Sequence, residues 1–237
     1  MSVSFVNRSY ELELLDAPNI PTEDLYQNLK ELHIINHYLG GYQVMLKGIK
    51  NLLKGIDKHQ KVRILDIGSG GGDTLKVIHQ KLGDKYNLDL VGVDLKSDCI
   101  QYSTTNCNGL PIQFIQSDYR NLIHDQDKFD IIVSSLFCHH LDDASLIELF
   151  SWMQNNAKIG GVVNDLHRHP LAYFSIKWIT KILSNSYLVK NDAPLSVARS
   201  FKKNDFTKLL KKAKVSKYQL KWYWAFRWLL TFKNIGG

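Results

Sequence analysis

The chain changes rhythm at residue 61. Over residues 22–53, apolar side chains recur at helical spacing (Leu25, Leu29, Leu32, Ile35, Leu39, then Met45, Ile49, Leu52), and the pattern breaks at Gly40-Gly41. That spacing predicts two helices joined by a turn. Beyond it, short aliphatic and β-branched runs at residues 62–67, 88–93, 112–115, 129–134 and 161–165 alternate with helical patterns. Each run is apolar almost throughout, as in strands buried on both faces, so the prediction is a parallel sheet with helices on either side. After the fifth run the alternation pauses. Residues 170–183 predict an apolar helix, followed by an irregular stretch to Pro194, an insertion well placed to act as a lid. Residues 203–213 predict an amphipathic helix and residues 216–232 a closing pair of strands rich in Tyr, Trp and Phe. The resulting division is a helical cap over residues 1–56 and an α/β domain over residues 57–237, with the lid-like insertion at about 168–200.

A chain of 237 residues with 44% hydrophobic content can bury one sizeable core, and no low-complexity tract argues against a folded chain. The start MSVSFVNRSYELELLDAP lacks the basic and apolar segments of a secretory leader, and no stretch is long and apolar enough to span a bilayer. Cys99, Cys107 and Cys138 follow no disulfide or metal spacing. A cytoplasmic protein is the expectation. The net charge of +7 is uneven: from Phe201 onward there are ten Lys or Arg and one acid, leaving 20 basic and 22 acidic residues before it. Lys202, Lys203, Lys208, Lys211, Lys212, Lys214, Lys217 and Lys221 form a basic region suited to a solvated helix face, with peripheral contact to an anionic membrane as the alternative.

The densest chemical signal is ILDIGSGGGDT, residues 64–74, where an apolar strand runs into Gly68, Gly70, Gly71 and Gly72 and then a helix. Glycine permits the positive φ of a tight turn and lets a ligand touch the backbone. Alone, such a loop is a weak signal. Asp66 precedes it by two residues, Asp94 ends the second strand in LVGVDL, and Asp118 follows the third with Tyr119 beside it. In open α/β sheets ligands bind outside the carboxyl ends of the strands, so these acids converge on one edge. A carboxylate ending the second strand can take both hydroxyls of a ribose, and an adenine offers an amino donor and a face to stack on.

ILDIGSGGG, VGVDL, QSDY, FDIIVSSLFCHHL and IGGVVNDL, in that order, resemble the motifs of class I S-adenosylmethionine-dependent methyltransferases over residues 61–165. DLHRHPLAY and SVARSFKKNDFTKLLKKA are similar to small-molecule members of the quinone-biosynthesis and polyketide-tailoring type. The resemblance implies a Rossmann-like seven-stranded, mostly parallel sheet of order 3-2-1-4-5-7-6 with the last strand antiparallel, and S-adenosyl-L-methionine as cofactor. It implies that Asp66, Gly68, Ser69 and Gly70 hold the methionine end, Asp94 the ribose and Asp118 with Tyr119 the adenine. Leu95 would lie against the adenine and Ser135 beside the sulfonium.

Methyl transfer from a sulfonium is an in-line displacement that needs alignment and, for a hydroxyl acceptor, a base. His139 and His140 after the fourth strand and His167 after the fifth are the candidates, because imidazole titrates near working pH. His139, His140, Asp142 and Asp143 read equally well as the start and cap of a helix. No metal site is expected, since HH and H-x-H pairs lack a supporting carboxylate pattern. Aromatic residues such as Tyr173, Phe174, Trp178, Trp222, Trp224, Phe226 and Trp228 belong mainly to core, and any facing the pocket point to an apolar or aromatic acceptor.

The reading is therefore an O-methyltransferase acting on a phenolic or other hydroxyl of an apolar small molecule, with carbon methylation of an activated ring as its close variant. A nicotinamide-dependent oxidoreductase would need Gly or Ala where Asp73 stands. An RNA methyltransferase drawing on the basic C-terminal region is the other alternative. Against it, SSLF stands where amino-group methylating enzymes of nucleic acids carry D/N-P-P-Y/F, so no nucleic-acid partner is expected.

Overall fold

The structure, a computed structural model, describes residues 4–122 and 128–234. Its centre is a seven-stranded sheet of β1 (Lys61–Ile67), β2 (Asn87–Asp94), β3 (Ile112–Gln116), β4 (Phe129–Ser135), β5 (Ala157–Leu166), β6 (Tyr218–Tyr223) and β7 (Arg227–Lys233). The order is β3-β2-β1-β4-β5-β7-β6. Strands β1 to β5 pair in parallel, and β7 runs antiparallel to both β5 and β6. This is the Rossmann-like order that the motifs implied. Where the order reverses, between β1 and β4, the carboxyl ends of the strands leave a crevice.

Continuous apolar strands serve two cores at once. Val62 and Ile64 of β1 pack on one face with Leu90, Ile131 and Val162, while Leu65 and Ile67 pack on the other with Val91, Ile132 and Val163. The first face is covered by α2 (Gly41–Leu52) and α3 (Asp73–Leu82), the second by α5 (Asp143–Asn156) and α8 (Lys203–Lys212). α8 buries Phe206, Leu209 and Leu210 and turns Lys203, Lys208, Lys211 and Lys212 to solvent. No helix of the described residues is long and apolar enough to cross a membrane.

The two helices that precede the sheet have different jobs. α2 is part of the core, with Val44, Met45, Ile49 and Leu52 all buried against β-strand side chains. α1 (Thr22–Tyr38) instead lies near the carboxyl edge, where Leu25 and Leu29 pack with Cys99 of α4 (Ser97–Asn106). Gly40 between them holds a φ of 72°, a left-handed conformation that glycine adopts without steric cost.

The expected irregular stretch before Pro194 is a helix. α7 (Tyr187–Arg199) is capped by the Ser186 hydroxyl, which accepts the Val189 N–H at 3.3 Å, and carries Pro194 in its interior. A proline there forfeits one backbone hydrogen bond, but Leu188, Val189, Val197 and Ala198 are buried, and tertiary packing overrides the local penalty. α7 packs on α6 (Pro170–Leu183) through Ala172, Ile176 and Val197.

Because α2 is built into the core, Ile49→Ala should lower the unfolding free energy of the whole chain by about 2–5 kcal/mol. Urea titration checks this, and an unchanged transition would show that α2 is separable from the sheet.

Candidate functional site

At the carboxyl edge β1 ends in Ile67 and the chain turns through Gly68, Gly70 and Gly72, with φ of 69°, 49° and 77°. The N–H groups of Gly68 and Ser69 both donate to the Val93 carbonyl at 3.0 Å, tying the loop to β2. Asp94, the last residue of β2, accepts the Gly70 N–H at 2.9 Å and the Lys96 N–H at 3.0 Å. A Cβ on Gly68 would lie 2.4 Å from the Phe137 ring, whereas one on Gly70 meets nothing nearer than Leu29 at 3.7 Å. Gly70 is thus the point of the turn that faces open space.

Asp66 is buried beneath this loop. Its Oδ1 has no hydrogen-bond partner among the described residues, and neither has the buried Ser69 hydroxyl. Burial, with the neighbouring charge of Asp94, holds the Asp66 carboxyl well above its ordinary pKa. Burial likewise raises Asp94 against the pull of its backbone hydrogen bonds. Among the described residues Asp66 Oδ1 thus lacks a donor, and Asp94 takes its hydrogen bonds from backbone N–H groups.

The loop opens into a cavity of about 810 Å³. Gly68, Ser69, Gly70, Asp94, Leu95, Asp118, Tyr119 and Ser135 line it, so eight of the nine expected cofactor residues meet at this cavity, and Asp66 is not in its lining. Asp118 caps a short turn and is clasped by Arg120, at 2.6 Å from Nη2 and 2.9 Å from Nε, which holds its carboxyl below the usual range. The Tyr119 ring meets Trp152 edge-on at 5.0 Å. Leu95 stands exposed at the mouth, and the Ser135 hydroxyl accepts from the Asn164 amide at 3.2 Å.

His139 and His140 also line the cavity, and folding surrounds them with acids distant in sequence. His139 Nδ1 meets Asp165 Oδ1 at 2.8 Å, and His140 Nδ1 meets Asp16 Oδ1 at 2.8 Å. Both Nε2 atoms lie 3.8 Å from the Glu13 carboxylate, which accepts the Ser196 hydroxyl at 2.9 Å. Burial pushes Glu13 up to about 7, against the opposing influence of His140, Ser196 and Arg199. Burial works the same way on Asp16 and Asp165, yet their histidine partners bring both below the ordinary value. Arg199 donates to the carbonyls of His139 and His140 at 3.1 and 2.8 Å and to Asp16 at 2.8 Å. Among the described residues, Glu13, His139 and His140 are a set whose ligand atoms converge closely enough to hold a metal ion. Arg199 Nε, 3.8 Å from Glu13 Oε1, already brings a positive charge to that point.

His167 is not brought to the cavity. It lies one residue past β5 in a shallow depression with Lys202, Trp222 and Trp228, and its Nδ1 accepts the Trp222 indole N–H at 3.2 Å. Burial and the charges of His169, Lys202 and Arg168 lower it to about 4, so it stays neutral at working pH. The structure adds Glu13, Asp16, Asp165 and Arg199, for which sequence offered one signal, the strand-end position of Asp165. It also adds His33, whose Nδ1 lies 3.1 Å from Asp73 and 3.0 Å from the Tyr42 hydroxyl, and Arg227, buried at the start of β7.

Residues 64–161 match the family described as Methyltransferase domain. Over 114 residues the chain is 26% identical to the cyclopropane-fatty-acyl-phospholipid synthase of Escherichia coli K12, covering 48% of this chain and 28% of that protein. Over 138 residues it is 27% identical to the mitochondrial ubiquinone biosynthesis O-methyltransferase of Saccharomyces cerevisiae, covering 57% and 42%. The matches thus span less than half the length of either relative. Among solved structures, the plantazolicin methyltransferase BpumL in complex with SAH superposes with a TM-score of 0.66 at 16% identity, over 90% of this chain and 95% of that one.

The glycine geometry separates packing from ligand approach. Gly68→Ala should cost about 1–3 kcal/mol because the new methyl overlaps Phe137 in a left-handed backbone. Gly70→Ala, with free space around it, should cost only the conformational penalty of about 1 kcal/mol. Equal losses in denaturant titrations would contradict this picture of the loop.

Proposed function

We propose that this chain, whose residues 64–161 form a class I methyltransferase domain, transfers a methyl group from S-adenosyl-L-methionine to a hydroxyl of an apolar small molecule. The observation that carries the reading is that one cavity is lined both by the glycine turn with Asp94, above the buried Asp66, and by a histidine pair oriented by carboxylates.

When bound, the cofactor supplies a methyl group made electrophilic by its sulfonium. Asp94 binds the ribose hydroxyls, Asp118 and Tyr119 the adenine, and the backbone of Gly68–Gly70 the amino-acid part. Leu166, Ala172, Ile176, Ile179, Val197 and Phe226 give the acceptor side an apolar wall that excludes water and selects a lipophilic molecule. His140 is the base. Asp16 retains the proton on Nδ1, so Nε2 is free to take the acceptor's hydroxyl proton as the oxygen attacks. His139, more deeply buried on Asp165, holds the Glu13 side of the cluster in place. Arg199 supplies the positive charge there and no metal is required. A small-molecule acceptor is further supported because none of the α8 lysines lines this cavity.

Asp94→Ala should weaken S-adenosylhomocysteine binding by about ten- to a hundredfold, through loss of charge-assisted hydrogen bonds to the ribose, as read by calorimetry. His140→Gln should leave that affinity unchanged and slow methyl transfer to a panel of lipophilic phenols by about a hundredfold or more. Undiminished turnover would remove His140 as the base. Cofactor binding with no transfer to any hydroxyl acceptor would remove the acceptor class.

A further inference from the structure

Among the described residues α6 is covered on one side only. Its inner residues Ala172 and Ile176 are buried with Val197 of α7. On the outer side Leu171, Phe174, Trp178 and Ile182 recur at intervals of three and four residues, which sets them in one stripe along the helix. All four are exposed, from 52% for Phe174 to 71% for Ile182, and Leu183 beyond them is exposed as well. Apolar side chains scattered singly over a surface need no explanation, whereas a continuous stripe of large ones marks a surface that something covers.

One rim of the stripe is cationic. Lys177 and Lys181 are exposed there, the Lys181 ammonium lying 5.8 Å from the centre of the Trp178 ring, and the helix PLAYFSIKWITKIL holds no acid. Glu31, which reaches the chain just after α6, is already taken by the Ser184 hydroxyl and the N–H groups of Asn185 and Ser186. The other rim is the cavity. Ser175 and Ile179 come next around the helix and line the chamber with Ala172 and Ile176, so apolar surface continues from the outside of α6 into the acceptor wall. Trp224, in the turn between β6 and β7, is both exposed and part of that lining, and Phe226 of the same turn packs with Ala172 and Ile176.

A second copy of the chain suits this surface poorly. A two-fold contact sets the same patch on both subunits, so Lys177 and Lys181 would meet their own counterparts with no acid on the helix to pair them. An anionic bilayer takes both halves of the pattern: the stripe enters the acyl boundary while the lysine stems lie along it and carry their ammonium groups to the headgroups. With 14 residues α6 is too short to cross a bilayer and long enough to lie in its surface. α8 lacks the combination, because its Phe206, Leu209 and Leu210 are all buried and its outer side offers charge alone.

We propose that the outer face of α6, with Leu171, Phe174, Trp178 and Ile182 beside Lys177 and Lys181, docks on an anionic membrane surface and brings the exposed cavity residues Ile179 and Trp224 to the bilayer. Docking of this kind is independent of the reaction at the site.

Sedimentation with lipid vesicles tests it. The intact chain should pellet with vesicles of equimolar phosphatidylcholine and phosphatidylglycerol, and much less with phosphatidylcholine alone. Trp178→Ser combined with Ile182→Ser should lower partition to the mixed vesicles by about tenfold or more, and because both positions are exposed the urea transition should stay in place. Lys177→Glu with Lys181→Glu should abolish the preference for anionic vesicles, whereas Lys208→Glu with Lys212→Glu on α8 should keep most of the binding. A wild-type chain that stays in the supernatant with both lipids overturns the proposal. So does unchanged partition of the Trp178→Ser, Ile182→Ser variant, or binding lost through the α8 pair alone, which moves the contact to the basic C-terminal region. A concentration-dependent dimer in light scattering that the Trp178→Ser, Ile182→Ser variant abolishes overturns it in favour of a second copy.

Discussion

Asp94 grips the Gly70 N–H at 2.9 Å from the end of β2, and the geometry of the site follows from that contact. It fixes the glycine turn of β1 against the neighbouring strand, at the point where the sheet order reverses and the carboxyl ends part. Beneath the turn Asp66 is buried with an oxygen that has no hydrogen-bond partner among the described residues, and burial disfavours its charged form. A fold at its stability optimum would not keep such groups; they persist where a ligand completes them. The parallel sheet makes this affordable by anchoring both acids in strands whose other residues are buried on two faces.

Around the histidine pair the charges are compensated internally. Glu13 and Asp16 reach His139, His140 and Arg199 from the opposite end of the sequence. Arg8 holds that segment down through the Arg199 carbonyl at 2.9 Å and the Leu141 carbonyl at 2.8 Å. Asp192 of α7 accepts the N–H groups of Leu14 and Leu15 at 2.9 Å each, so the insertion and the N-terminal segment close the site together. Each imidazole thereby has one nitrogen fixed by a carboxylate and the other turned toward Glu13, the orientation by which a histidine is kept in a single tautomer.

The parallel strands and the glycine loop were legible because burial on both faces makes strands continuously apolar and a tight turn demands glycine at defined positions, though β5 begins at Ala157, before the expected Gly161. The convergence of Asp94 and Asp118 followed from the rule that strand ends meet at one edge, while Ser135 came from the family resemblance. The same rule misled for His167, since reaching the end of β5 does not say which way the next side chain turns, and here it packs among Trp222 and Trp228. α7 was hidden by Pro194, whose local penalty is outweighed by packing visible only in three dimensions. Glu13 and Asp16 could not be paired with His139 and His140 in advance, because contacts across 124 or more residues leave no periodic trace.

The central claim is that this edge of the sheet recognises an adenosyl amino acid. Isothermal titration of the intact chain with S-adenosylhomocysteine, run beside a titration with a nicotinamide dinucleotide, tests it most directly. One-to-one binding of the former with no heat from the latter is the predicted result. Silence with the former, or saturable binding of the nicotinamide, would contradict it.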